Sequence, residues 1–557
     1  MPSESDPTSM RADLAGAREG AGRWAPLPDL VALGATAICG LLSFGLSLIE
    51  SRTELDPHHW GLMFANAQDL AHGAEPYRDF HVPYGFLTTL IQSVALRLGH
   101  EPVVSVGAVT GACYSFSILL AFFIWRRIMG PWLAGLSAVL MFLVHPYIAS
   151  PWANYFACLF VLVSVLLLMR SGRLAALGAG VAIGLSFLAR ESSITSTLAA
   201  VGAFLLYSLL REDDAAGRRQ VVQRALLVTL GFLVVTVGFF AWLAHRGTLG
   251  DWRTLSSRTL DFYWRYFGGR RQVIERTAMG FLLGRGWGDV FELRMLIYSF
   301  VFLAAAVCSI DVLRALRQRA AGLPHARTFL IAAVTLTGIV QAGQSYEVWR
   351  LHCACSLGLG LLLASLKPIA ARLNVHQRMA LTAGGLLVFL HLTASMAFTR
   401  TTASYQIWSH EQVAAGLRGS KDLGWPGNVP MFRGMWMDRG EVAYYQVLAA
   451  TLDSCGAHLP NLVNLSYDGF VPLLSPSLRR VQRCPYYIEA YSKAVYPEDL
   501  AVMDSLIRAG RTVVVVNGVQ RVPAGYVIVR QLLIPPHTYH FGEHVEYMVV
   551  AMPRPHG

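Results

Sequence analysis

The sequence predicts an α-helical polytopic membrane protein of about eleven transmembrane helices, followed by a C-terminal soluble α/β domain. Three observations predict it. Charged residues fill only 15% of the 557 positions and hydrophobic ones 54%, with a mean hydropathy of +0.44; soluble domains hold charge at about a quarter of their positions. Apolar runs recur at lengths near the roughly 20 residues that cross a bilayer. Beyond about residue 400 the chain turns polar and tyrosine-rich, with turn and strand signals.

The apolar runs lie at 29–49, 103–125, 131–148, 152–169, 174–190, 192–210, 225–244, 293–313, 328–343, 351–366 and 379–398. A tail, 1–28, precedes them and carries Arg11, Arg18 and Arg23, which the positive-inside rule places in the cytoplasm. Arginines then return to the same side at every second loop: Arg126 and Arg127, Arg170 and Arg173, Arg211 to Arg224, Arg314 to Arg327, and Lys367 to Arg378. This alternation requires that Phe86 to Leu98 does not span. Thr88, Thr89, Gln92, Ser93 and Arg97 interrupt that segment, so an interfacial amphipathic helix is expected there. The membrane domain is then 29–400, with an outer loop at 50–101 and a long outer loop at 245–294, and 401–557 follows on the outer side. The long loop holds seven arginines against the charge rule, from Arg253 to Arg285; anionic lipid or phosphate is the expected partner.

In 401–557, Thr512 to Asn517 and Tyr526 to Arg530 are β-branched runs that read as strands, and Glu498 to Ala509 has helical spacing. Cys455 and Cys484 would suit one disulfide in an oxidising compartment, while the other six cysteines lie in apolar runs. The net charge of +11 sits in short clusters between apolar segments. That distribution reports topology and excludes a nucleic-acid partner. The chain holds no P-loop, dinucleotide fingerprint or zinc motif.

Chemistry concentrates after the first apolar run. Glu50, Glu54, Asp56, His58 and His59 lead through Gly73 to Pro76-Tyr77-Arg78-Asp79-Phe80-His81 and Pro83-Tyr84-Gly85. Charge at a membrane surface is costly and points to use. Asp56 with Pro57 also fits a helix start, so capping stands beside function. Adjacent histidines on one helix do not readily share an ion; no cofactor is expected, with a divalent metal the weaker alternative. Two further charge groups interrupt apolar runs at outer hairpins: Arg190 with Glu191, and Tyr346, Glu347 and Arg350. Each reads either as a self-satisfied turn or as a phosphate-binding cation.

One outer acidic loop, the run Gly73-Ala74-Glu75-Pro76-Tyr77-Arg78-Asp79, then Pro83-Tyr84-Gly85 before an interfacial helix, about eleven spans and an outer C-terminal domain together resemble the GT-C glycosyltransferases. Within them the chain is similar to the protein O-mannosyltransferase and aminoarabinose-transferase branch. The resemblance implies a glycosyltransferase of the bacterial cytoplasmic (inner) membrane that moves a sugar from a polyprenyl-phosphate carrier to an acceptor glycan, lipid or protein on the outer face, with inversion. It implies Asp56 as the base, Asp79 as a catalytic partner, and a cation such as Arg350 or Arg190 at the carrier phosphate. Glu54, His58, His59, Arg78, Tyr84, Glu191, Tyr346 and Glu347 are then substrate-binding candidates, among membrane lipids. Where the family often pairs two acids, this chain has Pro57, His58 and His59, which leaves Glu54 and Glu50 as competing bases. A transporter or lipid flippase is the alternative, although no repeated halves are visible.

Overall fold

The computed structural model describes residues 27–53, 55–144, 151–266, 293–317, 323–342, 348–401, 423–427, 429–535 and 547–554. Each apolar run of the sequence forms a helix: α1 Leu27–Thr53, α4 Pro102–Trp125, α5 Pro131–Leu143, α6 Ala153–Leu168, α7 Arg173–Ala189, α8 Ser193–Arg211, α9 Ala215–His245, α11 Leu293–Arg317, α12 Leu323–Ala342, α13 Val348–Arg372 and α14 Val375–Thr401. Among the described residues, six helices are long and apolar enough to cross a membrane by length and composition alone. The chain is a multi-pass membrane protein. Pro102 and Pro131 open α4 and α5, where proline lacks a donor that no helix would use.

Two shorter helices, α2 His59–Ala71 and α3 Phe86–Leu98, fill the loop between α1 and α4. At 13 residues, α3 reaches roughly 20 Å, short of the ~30 Å hydrocarbon core. Its amphipathic pattern is turned inside out. Thr88, Thr89, Gln92 and Ser93 are buried, whereas Leu90, Val94 and Leu98 are exposed. The inward polar groups find backbone acceptors: Thr88 donates to Ala189 O at 2.8 Å and Gln92 to Pro151 O at 2.7 Å. The outward apolar face suits lipid, as a helix lying in the interface requires.

The long loop is also helical at its start. Helix α10, Leu249–Tyr266, docks on the C-terminal domain, with Phe262 against Tyr491 at 5.0 Å between ring centroids. Arg258 makes a two-pronged pair with Glu498 at 2.8 and 2.7 Å, and Arg246 pairs with Glu75 at 2.7 Å. Arg258 therefore finds a protein carboxylate where anionic lipid or phosphate was expected. Arg270, Arg271, Arg276 and Arg285 lie outside the described residues.

The C-terminal domain carries a five-stranded mixed sheet in the order β4-β3-β5-β7-β6, with β3 Asn461–Leu465, β4 Arg479–Arg480, β5 Val513–Asn517, β6 Tyr526–Leu533 and β7 Tyr547–Pro553. A two-stranded ribbon, β1 Leu423–Gly424 with β2 Met437–Asp438, precedes it. Strand β5 pairs parallel with β3 and antiparallel with β7, and all five of its residues are buried. Helices α15 Arg439–Gly456 and α17 Pro497–Arg508 pack on the sheet, and α16 Glu489–Val495 lies between α10 and α17. Both strand expectations and the helix expectation hold here. The disulfide does not: Cys455 and Cys484 are free and buried in separate apolar clusters, Cys455 with Leu448 and Leu452, Cys484 with Tyr486 and Tyr491.

This domain sits on the first loop. Trp436 N donates to Arg52 O at 2.6 Å, Gly469 N to Pro57 O at 2.8 Å, and Arg480 pairs with Asp69. Loop 54–85 and the C-terminal domain thus share one side of the membrane. At Gly61 the two backbones touch, and a Cβ there would overlap the Gly469 main chain. Only glycine allows so close an approach.

Candidate functional site

Asp56 closes the segment between α1 and α2 and is 1% exposed. Its Oδ1 accepts the backbone N–H groups of His58 and His59 at 3.1 and 3.0 Å, and its Oδ2 lies 2.8 Å from His59 Nδ1. Asp56 therefore starts α2 as a side-chain cap and also holds the His59 ring. Burial opposes its charged form; the positive His59 and His58 rings and the His59 hydrogen bonds outweigh that cost and keep the carboxyl below its ordinary range. His58 is buried against Tyr486, with ring centroids 4.0 Å apart. His59 faces Trp152 at 5.1 Å, Trp152 meets Tyr84 at 5.9 Å, and Arg190 lies over the Tyr84 ring at 5.8 Å. A continuous aromatic path thus runs from Asp56 to Arg190.

Arg190 opens onto a cleft of about 820 Å³ between α6, α8, α12 and α13. Arg350 lines the same cleft from the start of α13. Ala157, Val161, Leu162, Val334 and Leu357 give it an aliphatic wall, and ten of its twenty lining residues, Asn154 and Gln341 among them, are polar or charged. Asn154 is 5% exposed, and neither side-chain atom finds a hydrogen-bond partner among the described residues. An unsatisfied buried amide costs roughly 1–3 kcal/mol, so a ligand with polar atoms is the economical explanation. Two cations, two amides and several hydroxyls beside an aliphatic wall suit an anionic head on an apolar tail.

Glu191 points the other way from its neighbour. It accepts Tyr77 OH at 3.3 Å and Trp252 Nε1 at 3.0 Å; burial raises its pKa against those bonds. Tyr77 reaches it from a left-handed backbone conformation, φ 70°, unusual for a bulky residue. Arg78 donates to the Arg246 and Gly247 carbonyls at 3.2 and 3.1 Å and lies 3.9 Å from Asp251. Asp79 Oδ2 accepts Glu75 N at 2.8 Å within its own turn. Arg78 and Asp79 therefore do not pair with each other, and the contacts of both brace the loop.

Of the residues singled out from sequence, Asp56, His58, His59, Tyr84, Arg190 and Arg350 gather along the path to the cleft. Arg78, Asp79 and Glu191 stand beside it. Glu54, Tyr346 and Glu347 lie outside the described residues. Among the described residues no group of three His, Cys, Asp or Glu is arranged to hold a metal ion.

The sequence reading missed Trp152, Asn154, Tyr486 and Asp468. Asn154 left a readable trace as a lone amide inside an apolar run. Asp468 enters from the C-terminal domain: its carboxylate accepts Tyr445 OH at 2.9 Å and Phe470 N at 2.8 Å. Burial, with the nearby Asp56 charge adding, pushes it up to about 7. His81 Nδ1 meets Tyr496 OH of the C-terminal domain at 2.5 Å, and burial with the Arg483 charge lowers its pKa to about 3, leaving it neutral.

No protein-family model and no curated protein matches the chain. Among solved structures, ArnT from Cupriavidus metallidurans bound to undecaprenyl phosphate matches with a TM-score of 0.52 at 13% identity, covering 94% of this chain and 97% of that one. The same protein in its apo state matches with the same values. The archaeal oligosaccharyltransferase AglB from Archaeoglobus fulgidus, in complex with an inhibitory peptide and a dolichol-phosphate, is a looser match: TM-score 0.49, 10% identity, 87% of this chain and 69% of that one. The chain has the ArnT fold, a helical membrane domain with a mixed-sheet region at its C-terminus.

Proposed function

We propose that this protein transfers a sugar from a polyprenyl-phosphate carrier to an acceptor hydroxyl at the outer face of a bacterial cytoplasmic membrane. The observation that carries the proposal is the cleft that brings Arg190 and Arg350, from two different hairpins, to one space that has an aliphatic wall and Asn154 beside it. Isoprenoid chain matches the walls, and phosphate matches the cations through charge-assisted hydrogen bonds. The ArnT structure of the same fold was solved with undecaprenyl phosphate bound, which supports this choice of ligand.

In this reading the carrier phosphate lies between Arg190 and Arg350, which steady the charge that develops as it leaves. The acceptor enters beside Trp152 and Tyr84 and gives up its proton to the Asp56 and His59 pair. Attack from the face opposite the phosphate inverts the anomeric centre. The acceptor is a glycan, lipid or protein, and the C-terminal domain shapes its approach. The N-terminus is cytoplasmic, and the first loop with the C-terminal domain faces outward.

A cleft for a lipid phosphate also suits a flippase, and one assay separates the two readings. Purified protein in liposomes is given radiolabelled hexoses and pentoses on undecaprenyl phosphate, with cell-envelope acceptors. We expect a glycosidic product, with Arg190→Ala and Arg350→Ala each slowing its formation by about 10²- to 10³-fold, the range for removing one charge-stabilising donor. Carrier translocation without product would favour the flippase, and unchanged rates in both variants would remove the cleft from the reaction.

A further inference from the structure

We propose that the acceptor's proton goes to His59 Nε2, and that Asp56 acts as the positioning residue for that ring. This rests on the glycosyltransferase reading above and names the base within it.

Three features of the geometry point to His59. First, Asp56 is 1% exposed, and both of its oxygens are engaged by groups that build the loop: backbone N–H of His58 and His59 on Oδ1, the His59 ring on Oδ2. An acceptor hydroxyl reaching Asp56 would have to displace the start of α2. Second, the His59 side chain keeps 16% of its surface exposed, and its ring lies against Trp152, two positions before cleft-lining Asn154. His59 thus joins the buried carboxylate to the aromatic contacts that lead through Trp152 and Tyr84 to Arg190. Third, an ionised carboxylate at Nδ1 fixes the tautomer that carries hydrogen on Nδ1 and presents a lone pair on Nε2, the arrangement by which an acid orients and strengthens an imidazole base.

The step balances. The acceptor O–H bond breaks and its proton joins Nε2; the acceptor oxygen bonds to the anomeric carbon. The bond from that carbon to the phosphate oxygen breaks, and its electron pair leaves with the phosphate beside Arg190 and Arg350. The imidazolium that remains is held by Asp56. Among the described residues, the groups that face it are Asp56 and His58 from its own segment, the His58 ring at 4.5 Å, Tyr486 behind His58, and Asp468 from the C-terminal domain beside Asp56.

The test pairs activity with a chemical titration. In the transfer assay, His59→Gln is expected to lose about 10²- to 10⁴-fold in kcat, the range for a general base, while undecaprenyl phosphate binding stays at the wild-type level. Asp56→Asn is expected to keep partial activity, with the acid limb of its pH profile moved to lower pH because the ring loses its carboxylate. Carbethoxylation of His59 by diethyl pyrocarbonate, followed by mass spectrometry across pH, reads the same shift without any substrate. A His59→Gln protein with wild-type rate and pH profile would overturn the proposal and leave the transferase reading standing. If wild-type protein transfers no sugar from any carrier, the transferase reading falls instead. A His59 titration unmoved by Asp56→Asn would still overturn the coupling.

Discussion

Asp468 is a side chain of the soluble domain whose protonation answers to a charge in the first loop. Its folded pKa, about 7, stands above its ordinary 3.8 because it is buried beside Asp56. Between those values the folded chain holds a proton that the unfolded chain has released, so stability falls as pH rises. The contribution is complete below about 3.8 and gone above about 7. We expect Asp468→Asn, which stays neutral, to flatten that part of the pH dependence, measured as thermal unfolding in detergent from pH 4 to 8; a wild-type slope in the variant would contradict it. Asn154 makes an opposite kind of prediction. Asn154→Leu removes a buried amide that has no hydrogen-bond partner among the described residues and is expected to raise thermal stability by about 1 kcal/mol or more while weakening undecaprenyl phosphate binding. A loss of both would mark Asn154 as a structural residue. Arg190 and Arg350 were legible because charge interrupts apolar runs there. Asp468 was not, since an acid in a polar domain looks ordinary until the fold brings it to Asp56.

At the level of elements, the contact between α2 and the C-terminal domain is the joint that holds the site. Gly61→Ala forces its Cβ into the Gly469 backbone, and overpacking of this kind costs about 1–3 kcal/mol. We expect the variant to loosen the joint, read as faster proteolysis of the C-terminal domain with the membrane domain intact; wild-type protection would show that the two backbones have room to separate. The membrane helices were legible from sequence because each needs a long apolar run. Helix α3 was legible from its length and polar interruptions, but which face turned inward was not, because Thr88 and Gln92 find their acceptors, Ala189 and Pro151, far along the chain. Helix α10 sits inside the long outer loop that the sequence marked only by its arginines. Its aromatics Phe262 and Tyr263 meet Tyr491. Helix α15 carried a readable pattern in Val442, Tyr445, Leu448, Ala449 and Leu452, all buried, whereas β3, with Asn461 and Asn464, lacked the β-branched signature.

Across the whole molecule, the first loop, the turn at Arg190 and the C-terminal domain converge on one side of the membrane, while the cleft opens among α6, α8, α12 and α13. We expect engineered cysteines at exposed Glu489 and at Asp79 to react with a membrane-impermeant maleimide in intact cells; protection of both would invert the topology. The convergence was legible as topology, through arginines returning to alternate loops, but the shared cleft was not, because Arg190 and Arg350 meet only in the packed bundle. The most direct test of that meeting is a cryo-electron microscopy structure with undecaprenyl phosphate. We predict phosphate density between Arg190 and Arg350, within hydrogen-bond reach of Asn154, and isoprenoid density along the aliphatic walls; a carrier seated elsewhere, with the cleft empty, would contradict the account.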